Sequence, residues 1–178
     1  MEVIKTDYGS RLQTLQNISM RDEFSALCGI TENELLTQMK PDIERMAEAN
    51  GETYEEACAH LKKQYDGYHF SEKCEDIYNP FSLMNAFNSK KYDNFWFESG
   101  TPTFLLDVLG KTDFNVRDLD GIQVSFDSPS CTIMDPVPTL YLHGYLTIKG
   151  YNRMFSMYKL GFPNDEVREG VQDWCELR

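Results

Sequence analysis

One aromatic stretch near the middle of the chain limits what the sequence can fold into. Residues 65–70 read Tyr-Asp-Gly-Tyr-His-Phe, and residues 77–83 follow a polar loop with Ile-Tyr-Asn-Pro-Phe-Ser-Leu. Asp-Gly favours a turn, because glycine tolerates positive φ and the Asp side chain can bond the backbone that follows it. Asn79 before Pro80 predicts a helix start, with an N-cap acceptor ahead of a first-position proline. The turn and the helix start enclose what we call the aromatic corner, residues 65–70 and 77–83.

The chain before the aromatic corner predicts an antiparallel helical hairpin. Residues 31–34 and 53–56 each fit a capping box, Thr-x-x-Glu, at the start of an apolar stripe of helical spacing. Gly51 ends the first arm, and Pro41 either kinks that arm or starts a second helix within it. The apolar stripes are Leu35, Met39, Ile43 and Met46 in the first arm, and Tyr54, Ala57, Cys58, Leu61 and Tyr65 in the second.

The chain after the corner predicts shorter helices and then a weakly patterned connection. Phe81, Leu83, Met84 and Phe87 define a helix that begins at Pro80, and residues 101–110 predict another that ends at Gly110. We expect aromatic side chains at this density to form a core rather than a ligand cage. Residues 111–135 are polar and weakly periodic, which is typical of a connecting loop between subdomains.

The last part of the chain predicts a helix, a hairpin and a helix. A short helix follows Pro136, and residues 145–149 and 156–160 read as paired strands. Asn164 is a candidate N-cap for the final helix, with Asp165 and Glu166 favourably placed in its first turn. The predicted fold class is mainly α (α+β): a leader over 1–16, a helical lid-like region over 17–110, a connecting loop over 111–135 and a winged-helix-like subdomain over 136–178.

Composition restricts the classes of function. The net charge is −12 and the pI is about 4.6, which disfavours nucleic-acid binding because such proteins need a basic footprint. No apolar run reaches the roughly 18 residues of a membrane helix, and no secretory signal begins the chain, so a soluble cytoplasmic protein is expected. The five cysteines and three histidines are scattered without metal-ligand spacing.

Tests for catalytic motifs fail one by one. Gly110-Lys111-Thr112 resembles the end of a phosphate-binding loop, but Leu105 stands where that loop needs its first glycine. No acidic residue is followed two positions later by lysine, as restriction-type nuclease chemistry requires, and no Gly-x-Ser-x-Gly elbow occurs. Asp66 and His69 are a candidate acid–base pair, although a turn residue beside a half-buried imidazole is the favoured interpretation. The sequence predicts no catalytic, cofactor-binding or metal-ligating residue.

Several long motifs carry a resemblance to a known family. They are the aromatic corner, residues 18–31, residues 95–104 (Phe-Trp-Phe-Glu-Ser-Gly-Thr-Pro-Thr-Phe) and residues 142–151 (Leu-His-Gly-Tyr-Leu-Thr-Ile-Lys-Gly-Tyr). Over residues 17–170 the chain resembles the middle of a bacterial AAA-ATPase-like family of the Bacteroidetes type. Members of that family carry an N-terminal P-loop ATPase region and a C-terminal nuclease-like domain of the PD-(D/E)XK class.

The resemblance implies a connector and no chemistry of its own. ATP and Mg²⁺ are implied only for the parent family, and the implied partners are its ATPase core and its nuclease-like domain. Neither flanking region is in this sequence, so the chain is expected to be a truncated member of the family. The missing domains would leave apolar surface exposed, and two copies of the chain could cover it by forming a homodimer. The motif residues implied to pack or to form an interface are Tyr65, Asp66, Gly67, Tyr68, Phe70, Tyr78, Asn79, Pro80, Trp96, Gly144 and Tyr145.

Two alternatives of other classes stay open at this point. A winged-helix nucleic-acid-binding module would place Lys149, Arg153 and Lys159 on its wing, against the acidic net charge. A degenerate enzyme fragment would retain phosphate contacts around residues 66–70.

Overall fold

The computed structural model describes residues 20–73, 75–98, 119–125 and 136–176. The helices are α1 (Glu32–Gln38), α2 (Lys40–Asn50), α3 (Tyr54–Tyr65), α4 (Pro80–Ser89), α5 (Phe95–Glu98), α6 (Pro136–Leu142) and α7 (Asp165–Glu176). The strands are β1 (Ile30–Thr31), β2 (Ile77–Tyr78), β3 (Gln123–Val124), β4 (Thr147–Asn152) and β5 (Met157–Gly161), and Asp22–Phe24 forms one 3-10 turn. The predicted leader over 1–16 and the predicted helix over 101–110 lie outside the described residues. The α+β class with mainly helical content is confirmed.

Local capping chemistry sets the ends of the first three helices. Thr31 and Thr53 each accept a bond from the backbone N–H three residues on, and the Glu at that position reaches back to the threonine N–H, so both capping boxes form. Gly51 ends α2 in the left-handed conformation with φ of 69°. Pro41 lies in the first turn of a separate helix, so of the two alternatives for Pro41 the new helix start is correct.

Two antiparallel sheets join distant parts of the chain. β1 pairs with β2, and β3, β5 and β4 form a three-stranded sheet in that order. The predicted hairpin is confirmed, but its first strand begins two residues later than predicted, at Thr147. Within the predicted connecting loop, Gln123 and Val124 add a third strand that local pattern did not indicate, and Leu119 is buried.

The described residues bury two hydrophobic cores, which define a helical half and a hairpin half. The helical core comprises Leu35, Ile43, Met46, Ala47, Ala57, Leu61, Tyr65, Tyr78, Leu83, Ala86 and Phe95. The hairpin core comprises Tyr68, Ile77, Leu119, Val137, Leu140, Tyr145, Leu146, Ile148, Leu160, Phe162, Val167 and Val171. The apolar stripes predicted for the first two helical arms supply much of the helical core. In α4, by contrast, Leu83 is buried whereas Phe81 and Met84 are each nearly half exposed, so part of that apolar face stays outside the core.

Within the part of the chain that the structure describes, no helix is both long and apolar enough to cross a lipid bilayer.

Candidate functional site

The aromatic corner belongs to both cores at once. Tyr65 and Tyr78 are buried in the helical core, whereas Tyr68 and Ile77 are buried in the hairpin core. Two backbone hydrogen bonds of 3.2 Å pair Tyr68 with Ile77, and the Asn79 N–H donates to the Tyr65 carbonyl at 3.0 Å. Two residues, Asp66 and Gly67, therefore carry the backbone from one core to the other, and β2 and the adjoining Asn79 bond the chain on either side of them. We call residues 65–71 and 163–166, which meet here, the joint.

Gly67 makes the closest approach within the joint. It adopts φ of 92°, and a β-carbon built on it would lie 2.3 Å from the carbonyl oxygen of Pro163. The Lys149 Nζ donates to both carbonyls, at 3.2 Å to Gly67 and 3.0 Å to Pro163. No turn or bend forms at Asp66 and Gly67, so the turn predicted there is wrong. Glycine is nonetheless required at position 67, both for its φ and for the space that it leaves.

Asn164 ties the end of α3 to the start of α7. Its Nδ2 donates to the Asp66 backbone carbonyl at 3.0 Å, while its Oδ1 accepts from the Val167 N–H at 3.1 Å. The second bond is the N-cap that the sequence predicted. The first bond joins residues that are 98 positions apart, and local pattern gave no sign of it.

The Asp66 carboxyl is buried inside the joint. The residue is 3% exposed, and no side chain among the described residues donates a hydrogen bond to either oxygen. Burial raises the pKa of this carboxyl to about 6, and the N–H of Gly67 only partly offsets that effect. A buried carboxyl without a donor favours its neutral form.

His69 is bound to the hairpin half rather than to Asp66. Its backbone N–H donates to the Thr147 Oγ1 at 2.7 Å, and that hydroxyl donates to the His69 carbonyl at 2.9 Å. Its ring Nδ1 lies 2.7 Å from the Ile148 carbonyl oxygen, which can only accept, and Nε2 contacts the Asp76 carboxylate. The candidate acid–base pair of Asp66 and His69 is therefore wrong, because the ring nitrogens are already used by β4 and by Asp76.

Family-motif residues from distant parts of the sequence meet around Gly144. With φ of 78° at Gly144, a β-carbon there would lie 3.5 Å from the Trp96 ring and 3.8 Å from the Tyr68 ring. Tyr145, the next residue, is buried in the hairpin core. Two motif residues are exposed instead. Pro80 lies on the surface, and Phe70 is 38% exposed, with its ring centroid 6.4 Å from that of Tyr68.

Glu166 carries a second buried carboxyl. The sequence indicated only that its negative charge suits the first turn of the last helix. It is fully buried, and its Oε1 accepts the N–H of Trp96 at the start of α5, at 2.9 Å. Burial raises its pKa to about 7, and the hydroxyl of Ser82 and the backbone of α5 offset part of that rise. The sequence did hold a signal, since Glu166 lies one turn before Gly170, beside the Val167 and Val171 stripe.

A polar depression of about 360 Å³ lies beside the joint, on the outer face of α3. His60 and Tyr92 stack there with ring centroids 3.8 Å apart. Glu52 holds both, with Oε1 at 2.9 Å from the His60 Nδ1 and Oε2 accepting from the Tyr92 hydroxyl at 2.6 Å. These contacts hold α3 against the residues that follow α4, and the scattered histidines of the sequence did not indicate them.

The three basic residues expected on a wing have different surroundings. Lys149 donates to carbonyls inside the joint, and Arg153 pairs with Glu72 at 3.1 Å. Lys159 is exposed on β5, where its stem passes over Gly121. Among the described residues, no group of three or more His, Cys, Asp or Glu side chains is placed to hold a metal ion.

Comparison with known proteins gives one informative match. No protein-family model matches the chain, and no solved structure matches it. A protein of Azotobacter chroococcum mcd 1, described as "Uncharacterized protein in vnfD 5'region", is 30% identical over 179 residues, which cover 98% of this chain and 32% of that protein. The chain therefore spans about a third of the length of the curated relative that it matches.

Proposed function

We propose that the chain is a non-catalytic lid and connector of an AAA-ATPase-like protein, and that it couples an ATPase core to a nuclease-like domain. The observation that carries the proposal is the joint, in which residues 65–70 contribute side chains to both cores and contact residues 163 and 164 directly. A rigid segment shared by two cores moves with either of them. Displacement of the helical half therefore displaces the hairpin half, which is what a coupling element requires.

The positions of the family-motif residues support this proposal. Most of them are buried at or beside the joint, where they bind other parts of the same chain. The length of the matched relative also supports it, because two thirds of that protein lies beyond the matched region and leaves room for further domains. The proposed partners remain the ATPase core and the nuclease-like domain of the parent family.

A nucleotide titration tests the non-catalytic part of the proposal. We expect ATP with Mg²⁺ to give no micromolar dissociation constant by calorimetry, and to leave the midpoint of thermal unfolding unchanged. Phosphate release, followed by a colorimetric assay, should stay at the level of the buffer. A micromolar dissociation constant, or turnover that disappears in Asp66→Ala, would show a catalytic role and end the proposal.

Amide exchange tests the coupling part. Leu61 is fully buried in the helical core, so Leu61→Ala should destabilise that half by roughly 2–5 kcal/mol. If the joint couples the halves, the amides of β4 and β5 lose protection in this variant as well. Leu36→Ala, at a site 39% exposed on α1, is the matched control and should leave those amides unchanged. Wild-type protection of β4 and β5 in Leu61→Ala would mean two independent units and no connector.

A winged-helix nucleic-acid-binding module is the second candidate. The hairpin half runs in the order β3, α6, β4, β5 and α7, with its three strands in one sheet, and this favours the candidate. The engagement of Lys149 and Arg153 within the chain and the net charge of −12 count against it. A duplex DNA mobility shift that weakens steeply between 50 and 200 mM salt is the result that this candidate requires.

A further inference from the structure

We propose that the joint is a proton-operated latch: the helical half and the hairpin half stay docked when the Asp66 and Glu166 carboxyls are protonated, and the joint loosens as they ionise. The latch rests on the proposed function, because it regulates the same coupling between the two cores. Asp66 lies at the end of α3 and Glu166 in the first turn of α7, on the two sides of the contact between Gly67 and Pro163.

The charged groups that face Asp66 among the described residues compensate its ionised form only in part. Glu32 faces it from α1, Asp76 from the segment before β2, and Tyr78 from β2. Lys62 of α3 is the nearest source of positive charge on its own helix, but its Nζ is paired with the Glu32 Oε1 at 2.8 Å. Lys149 of β4 uses its Nζ on the carbonyls of Gly67 and Pro163. Both cations still attract an ionised Asp66, but the cost of burying its charge is larger, and Glu32 and Asp76 add repulsion.

The groups that face Glu166 among the described residues are polar or acidic. Tyr65 faces it from α3, Tyr68 from the joint, Ser82 from α4 and Asp93 from the segment before α5. The N–H of Trp96 satisfies Oε1, whereas Oε2 is buried without a well-formed hydrogen bond. A proton on this carboxyl removes a buried charge at the point where α5 and α7 pack together.

The sign of the pH effect follows from linkage. Both carboxyls have pKa values near 4 in an unfolded chain, and burial raises the pKa to about 6 for Asp66 and about 7 for Glu166. A raised carboxyl pKa means that the docked state binds protons more tightly than the open state. These two carboxyls therefore favour docking most strongly below about pH 4 to 5, and their contribution falls as the pH rises through 6 and 7.

The experiment is amide exchange of the full chain between pH 5 and pH 8.5, corrected for the intrinsic pH dependence of exchange. We expect the protection of the Tyr68 amide in the joint, and of the amide of its partner Ile77, to fall about tenfold or more over this range in the wild type. Asp66→Asn with Glu166→Gln should keep high protection throughout. Asp173→Asn, an exposed acid on the same helix as Glu166, is the matched control and should retain the wild-type profile.

Three results would overturn the latch: a flat wild-type profile, an unchanged slope in the double variant, or a slope that disappears in the control. If the double variant does not fold, ¹³C titration of the wild-type carboxyls still tests the latch. The Asp66 and Glu166 carboxyls must then titrate with midpoints above about pH 5.5. The Leu61→Ala experiment separates this proposal from the connector. A flat pH profile with coupled exchange removes the latch and leaves the connector. A pH-dependent joint without coupled exchange removes the connector, and with it the regulatory role of the latch, and leaves only a pH-dependent contact.

Discussion

Gly67 and Pro163 approach each other so closely that no side chain fits between them. A β-carbon on Gly67 would lie 2.3 Å from the Pro163 carbonyl oxygen, and the φ of 92° is itself unfavourable for any other residue. Gly67→Ala should therefore cost the left-handed backbone penalty of about 1–2 kcal/mol and, in addition, about 1–3 kcal/mol for the forced separation of the two segments. Urea unfolding of the variant and the wild type measures the sum of these two losses in the free energy of unfolding.

Gly51 is the matched control for this prediction. It also has positive φ, at 69°, but nothing lies within 4 Å of a β-carbon built there. Gly51→Ala should lose only the backbone penalty. Equal losses in the two variants would mean that the contact between Gly67 and Pro163 contributes nothing to stability.

The Thr147 hydroxyl bonds both backbone groups of His69, the N–H and the carbonyl, and so holds His69 on the hairpin half. Thr147→Val keeps the shape of the side chain but leaves the His69 N–H without its acceptor, so we expect a loss of about 1–3 kcal/mol in the free energy of unfolding. Thr37→Val removes a hydroxyl that bonds only the carbonyl of Asn33 on an exposed helix, and should be nearly neutral. A neutral Thr147→Val would show that the His69 backbone finds other partners.

Lys149 bridges the two carbonyls of the joint from the start of the hairpin. Lys149→Met retains the stem and removes the Nζ, so two charge-assisted bonds disappear and we expect a loss of about 2 kcal/mol. Lys91→Met, at an exposed position after α4, should change the free energy of unfolding by less than about 0.5 kcal/mol. Thermal unfolding of both variants at one pH makes the comparison, and equal midpoints would contradict the bridging role.

The two capping glutamates should make the protein less stable as the pH falls, whereas the latch makes it less stable as the pH rises. Hydrogen bonds from Thr31 lower the pKa of Glu34, and those from Thr53 lower the pKa of Glu56. A lowered carboxyl pKa contributes stability that is present above the unfolded value and is lost as the pH falls through the folded value. In Glu34→Gln with Glu56→Gln, the loss of stability between pH 5 and pH 2.5 should be shallower than in the wild type. Glu55→Gln, exposed in the same turn as Glu56, should leave that slope unchanged.

Elements whose signals lie within one turn of chain were predictable. The two capping boxes, the left-handed end at Gly51 and the N-cap at Asn164 each depend on residues three or four positions apart, so the sequence contains the whole interaction. The hairpin was predictable because its strands are neighbours in sequence. Strand β3 was not, because Gln123 and Val124 gain their role only from β5, which lies some 35 positions later.

In the candidate site, too, some features were predictable from the sequence and others were not. The residues of the aromatic corner were singled out from sequence, but their division between two cores was not, since it depends on where α7 and β4 lie. Glu166 was noticed only as a charge near a helix start, because its burial comes from the packing of α5 on α7.

The sequence by itself determined where α1, α3, α4 and α7 begin, that α2 ends at Gly51, that the chain is mainly helical with one hairpin, and that the segment from Tyr65 to Phe70 is central. Only the tertiary structure decided that Gly67 meets Pro163, that His69 binds β4 instead of Asp66, and that two carboxyls lie buried at the joint. The reason is physical: capping and turn formation are local interactions, whereas burial and pKa are properties of whatever the rest of the chain brings into contact.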